Sequence, residues 1–157
     1  MDDPVRGEPG RWFEDYPVGA VYAGGSLAVS EQDILEFARR YDPQPMHVDK
    51  FAAEAGDFGG LIASGWHTAA LMMQLLVAHF VPRPGNLASP GIDELRWLRP
   101  VRPGDRLSLR ATVQSARRSH SKPGQGVVVS LVEVLNQRDE VVMTQRPMNM
   151  MRCRVGE

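Results

Sequence analysis

A chain of 157 residues is long enough to bury a core without metal or disulfide staples. Its 43% hydrophobic and 24% charged residues have the balance of a folded globular protein, which excludes disordered and fibrous classes. A formal net charge of -1, with arginines scattered along the chain, excludes the basic footprint of a nucleic-acid binder.

The first ten residues carry acids where a secretory signal would be basic, and they lack an apolar stretch. Residues 1–10 are therefore expected to form a flexible tail ahead of one domain over 11–157. Ser30 stands three residues before Asp33, and Ile34, Phe37, Ala38 and Tyr41 recur at helical spacing. This predicts a capped amphipathic helix, stopped by Pro43 and Pro45. Residues 42–47 are expected to be a stiff non-helical loop, because proline pushes the residue before it towards extended backbone. Asp49 then reads as the N-cap of a short run from Lys50 to Ala55.

From Phe58 to Pro82 there is no Asp, Glu, Lys or Arg. Ser64, Gly65, His67, Gln74 and His79 interrupt the segment, leaving apolar runs short of the roughly 20 residues that a bilayer needs, so no membrane span is predicted. Ser64 is expected to cap a long helix from Gly65 to about Phe80, closed by Pro82. That helix is apolar nearly all round, which predicts burial on all sides.

From Gly91 onwards strands are expected, separated by turns at Pro103-Gly104-Asp105, Lys122-Pro123-Gly124 and Asn136 to Asp139. Leu107, Leu109, Ala111 and Val113 alternate with polar residues, as in a half-buried strand. Val127 to Leu135 reads as a central strand, and Val141 to Arg152 as another. A buried helix followed by an antiparallel meander packs when the sheet curls around the helix. The expected class is α+β, a hot-dog fold with an antiparallel sheet wrapped around a long buried central helix. Its open sheet edge predicts a homodimer or higher homo-oligomer.

The single cysteine, Cys153, excludes an internal disulfide and a Cys-based metal cluster, and it favours a reducing, cytoplasmic setting. No role is assigned to it. Histidines 47, 67, 79 and 120 form no tight ligand pair, so no metal site is predicted. His79 and His120 show no partner pattern.

Asp42 and His47 flank a loop stiffened by two prolines, which limits the cost of ordering a fixed pair. Spacing alone leaves two ordinary alternatives open, since Asp before Pro commonly starts a turn and a single His is commonly structural. The N-terminus of the long helix offers unpaired N-H groups and a favourable dipole, with Gly65 as the foremost donor. Packing would also explain a glycine there. Ser64, Trp66 and His67 are candidate substrate-binding residues. Capping is the competing role for Ser64, and core packing for the other two.

Phe13-Glu14-Asp15-Tyr16-Pro17-Val18-Gly19, Asp42-Pro43-Gln44-Pro45-Met46-His47-Val48-Asp49, Ala63-Ser64-Gly65-Trp66 and Arg102-Pro103-Gly104-Asp105 follow one another along the chain. Together, from Phe13 to about Met151, they resemble the MaoC-like dehydratases and (R)-specific enoyl-CoA hydratases. Two positions depart from the commonest pattern, Tyr41 for Gly and Gln44 for Asn, and they bear on the substrate more than on the catalytic pair. The resemblance implies that Asp42 and His47 are the catalytic dyad and that the Gly65 N-H contacts the oxyanion. Asp49 is read as a cap or a support of the motif.

The implied reaction is reversible hydration of a trans-2-enoyl-CoA to an (R)-3-hydroxyacyl-CoA. It needs a base for water, an acid for C2 and a donor for the carbonyl oxygen. The implied partner is an acyl-CoA or acyl-carrier thioester, and no cofactor is expected beyond the CoA of the substrate itself. Arg99 or Arg102 would suit CoA phosphates. One rival is a hot-dog thioesterase, many of which carry a carboxylate on the central helix, whereas Gly65 to Phe80 has none. The other is a non-catalytic acyl-binding subunit.

Overall fold

The computed structural model describes residues 10–155, so the predicted tail falls almost wholly outside the described residues. In chain order the elements are β1 (Val21–Ala28), α1 (Glu31–Tyr41), α2 (Pro45–Val48), α3 (Lys50–Ala55), α4 (Gly65–His79), β2 (Asn86–Trp97), β3 (Arg106–Arg118), β4 (Gln125–Leu135) and β5 (Val141–Arg152). The five strands form one sheet in the order β1-β3-β4-β5-β2, with every neighbouring pair antiparallel. This is the hot-dog arrangement, with α4 against the inner face of the sheet.

Period-two patterning decides which face of the sheet meets α4. Leu107, Leu109, Ala111 and Val113 of β3 are buried, as are Val128, Val132 and Val134 of β4. From α4 they meet Met72, Leu75 and Leu76, in one cluster with Phe80 beyond its end. Tyr16 is fully buried, donates its hydroxyl to the Phe80 carbonyl and meets the Phe80 ring edge-on at 5.2 Å. The N-terminal turn is thereby locked to the end of α4.

Three expectations need correction. First, α4 is not buried on all sides: Trp66 is 60% exposed and Met73 47%, because one sheet covers only one flank of the helix. Second, Pro45 starts a helical turn where a non-helical loop was expected. Proline suits the first helical position, and Gln44 before it is extended, with φ -74° and ψ 144°. Third, the first strand is β1, and β2 begins at Asn86, five residues ahead of Gly91. In β1 the pair Gly24-Gly25 interrupts the alternation, and the strand bulges between Gly24 and Leu27. Gly25 has φ +90°, and a Cβ there would stand 2.3 Å from the buried side chain of Leu75. The sequence hides this strand because its centre is shaped to receive α4.

Candidate active site

The end of α1 and the turn of α2 bring the motif residues together. Asp42 is the C-cap of α1, with its N-H donating to the Ala38 carbonyl. The turn of α2 then carries His47 back towards it. His47 is 5% exposed, and its Nδ1 lies 2.8 Å from the Ile62 carbonyl oxygen. A carbonyl only accepts, so Nδ1 carries the proton, and in the neutral ring the lone pair is on Nε2. That Nε2 faces Asp42 Oδ2 at 3.4 Å.

Both oxygens of Asp42 are held. Ser64 Oγ donates to Oδ2 at 2.6 Å, and Gln44 Nε2 donates to Oδ1 at 2.7 Å. The Ser64 bond, then the Gln44 bond, together with the charge of His47, hold the carboxyl below its ordinary pKa against partial burial. Ser64 also caps α4, accepting from the Trp66 N-H at 3.3 Å. It is 1% exposed, and its hydroxyl is engaged by both the carboxylate and the cap.

Asp42, Gln44, His47, Gly65, Trp66, Trp97 and Arg99 share a cleft of about 380 Å³, with Ile62, Ala63, Thr68 and Val101 among its apolar and polar lining. Gly65 is the first helical residue of α4, so its N-H has no intrahelical acceptor. The space beyond its Cα is filled: a Cβ there would stand 2.5 Å from the Trp97 indole, whose Nε1 donates to the Gly65 carbonyl at 2.9 Å. Packing against Trp97 therefore requires glycine at this position, whatever its N-H binds.

His67 does not join the cleft lining. It is 5% exposed and stacks on Phe37 of α1 with centroids 4.8 Å apart and planes within 8°. Its Nδ1 has no hydrogen-bond partner among the described residues. Burial holds its pKa below the ordinary histidine value, opposed by the charge of Asp33. Asp49 caps α3, accepting from the N-H groups of Phe51 and Ala52. Of the two arginines, Arg99 lines the cleft, whereas Arg102 donates to the Phe58 carbonyl. No cluster among the described residues could hold a metal ion, and no described helix is long and apolar enough to cross a membrane. Burial pushes the Cys153 thiol up in pKa, as for an unreactive core thiol.

Sequence reasoning missed the contacts that Gln44 and Trp97 make at the cleft. Gln44 was visible as a departure from a motif, but its bond to Asp42 depends on the α2 turn. Trp97 carries no local signal, because its partner Gly65 lies 32 residues away.

The MaoC like domain family matches residues 15–136, a span that contains Asp42, His47 and Gly65. The uncharacterized protein YdeM of Bacillus subtilis is 31% identical over 81% of this chain and 89% of its own. The crystal structure of a MaoC-like dehydratase from Rhodospirillum rubrum is 40% identical, with a TM-score of 0.87 over 92% of this chain and 99% of that one. An (R)-hydratase from A. caviae involved in PHA biosynthesis superposes with a TM-score of 0.68 over 90% of this chain and 99% of that chain. At 20% identity, that last likeness bears on the fold alone. The chain belongs to the MaoC-like domain family.

Proposed function

We propose that this protein reversibly hydrates a trans-2-enoyl thioester, with CoA entering as part of the substrate, to an (R)-3-hydroxyacyl thioester. The observation that carries the reading is the pairing of two acceptors, the Asp42 carboxylate and the Nε2 lone pair of His47, 3.4 Å apart. Two acceptors cannot bond each other, but a single water can donate one hydrogen to each.

The chemistry then follows from their unequal basicity. Asp42, held ionised by Ser64 and Gln44, is a weak base that orients the water and stabilises positive charge. His47 Nε2 takes the proton as the water oxygen bonds to C3. The C2-C3 π pair moves towards the thioester carbonyl, whose oxygen gathers charge at the Gly65 N-H. Collapse of that enolate draws a proton from the His47 imidazolium to C2, returning the pair to its starting state. Dehydration is the same path reversed.

The reading carries the parent family's chemistry to this chain, and the (R)-hydratase likeness supports only its fold. The absence of Asp and Glu from α4 favours it over the thioesterase reading. A homodimer accords with the exposed Ile92 on the sheet-edge strand β2 and the adjoining Leu98, and a cytoplasmic setting with the single cysteine. The test is an enoyl-CoA series followed by loss of conjugated-enone absorbance, alongside a thiol trap with saturated acyl-CoAs. The expected result is rapid absorbance loss and slow thiol release; the opposite pattern transfers the assignment to a thioesterase.

A further inference from the structure

We infer that Trp97 is the specificity wall of the cleft, and that it restricts the enzyme to short acyl groups. The inference rests on the thioester reading above and adds the substrate's size.

The wall is built from observations at one place. The Trp97 indole lies against Gly65 so closely that a Cβ at position 65 would meet three of its ring atoms at 2.5–2.8 Å. Its Nε1-H bond to the Gly65 carbonyl, 2.9 Å long, fixes the ring at the N-terminus of α4. Trp66 meets it edge-on, with centroids 5.2 Å apart and planes at 78°, which braces the ring from the second side. A thioester carbonyl reaching the Gly65 N-H is thus excluded from the side that Trp97 occupies and must approach from the side of Asp42 and His47.

Volume then decides the class of acyl group. The cleft of about 380 Å³ is near the lower limit of the roughly 300–1,000 Å³ found for ligand pockets, and it must also admit the thioester end of the carrier. Little room is left for a long chain unless Trp97 moves. Trp66, the other indole of the lining, stands against Trp97 as part of the same wall.

The test measures binding of saturated butyryl-, hexanoyl-, octanoyl- and decanoyl-CoA by calorimetry, and turnover of the matching enoyl-CoAs. Wild type should bind butyryl-CoA about tenfold or more tightly than decanoyl-CoA, a margin within what a pocket can extract from a few methylenes. Trp97→Ala should abolish or reverse that preference, and Trp97→Phe, which keeps most of the wall, should retain it. Because Trp97 is 44% exposed on an edge strand, the substitutions are expected to fold; Trp97→Leu carries the same test if the alanine variant does not. Ile92→Ala, on the same strand but outside the cleft, controls for loosening of β2.

A wild type that binds no acyl-CoA, or that binds all lengths alike, overturns the inference. So does a preference that survives Trp97→Ala or disappears in Ile92→Ala. If the binding preference behaves as expected while no enoyl-CoA is hydrated, the wall stands and the hydratase reading fails.

Discussion

Ser64 serves two partners with one hydroxyl: it donates to Asp42 Oδ2 at 2.6 Å and accepts from the Trp66 N-H at 3.3 Å. The cap of α4 and the ionisation of the motif carboxylate therefore depend on the same atom. Ser64→Ala should raise the Asp42 pKa, because its leading stabilising donor is gone, and an NMR titration of the carboxyl carbon reads this directly. The same change should cost about 1 kcal/mol of stability from the lost cap. A depressed folded-state pKa adds stability above the unfolded value, near 3.9 for Asp, and that stability is lost as pH falls through the folded value. The urea-unfolding gap between wild type and variant should accordingly be widest above about pH 4 and should narrow on acidification. An unmoved Asp42 titration would separate the cap from the carboxylate.

The dyad gives a second expectation. His47→Gln should lower kcat by about a hundredfold or more, the scale of a lost proton-transfer group. Asp42→Asn should lower it by about as much, because the water loses its second acceptor and the imidazolium its facing charge. Both act on one water, so the double variant should fall little below the worse single variant. Steady-state kinetics of all three variants checks this. A double loss equal to the product of the single losses would mean that the two side chains work independently.

How much of this was legible in the sequence depended on the range of the interaction. The caps at Ser30, Asp49 and Ser64 were readable because a cap and its N-H partners lie within three residues. The β3 alternation was readable because burial repeats every second residue. β1 was not, since Gly24 and Gly25 answer to His79 and Leu75, far along the chain. Likewise packing stood as one of two reasons for Gly65, but its partner, Trp97, could not be named from the local sequence. His67 follows the same rule: its stacking on Phe37 joins two helices that no local pattern brings together.

The β1 bulge gives a stability test with an internal control. Gly25→Ala places a Cβ against the core side chain of Leu75 at positive φ, adding overpacking to backbone strain, a cost of roughly 2–5 kcal/mol. Gly104 has the same φ of +90° but nothing within 4 Å of its Cβ position, so Gly104→Ala should cost only the strain, about 1–2 kcal/mol. Denaturant midpoints of the two variants should differ accordingly. Equal losses would show that Leu75 yields at no cost and that the bulge is set by φ alone.

The oxyanion donor is tested at Gly65, where Trp97 dictates the design. Proline suits the first helical position, and Ser64 before it, with φ -55° and ψ 140°, already has the extended backbone that a following proline favours. Proline nevertheless brings a Cβ into the Trp97 ring, so its effect on rate mixes a displaced indole with a missing N-H. Gly65→Ala supplies the matched control, since it adds the same Cβ and keeps the N-H. Both variants should lose some activity through Trp97, but Gly65→Pro should have a kcat lower than that of Gly65→Ala by a further factor of about 10² to 10³, the usual cost of one oxyanion donor. KM should differ much less between them, because the bond tightens as charge develops on the carbonyl oxygen. If the folded proline and alanine variants turn over alike, the Gly65 N-H is not the donor. The neighbouring Trp66 N-H, held by Ser64 only at 3.3 Å, then becomes the group that faces the developing charge.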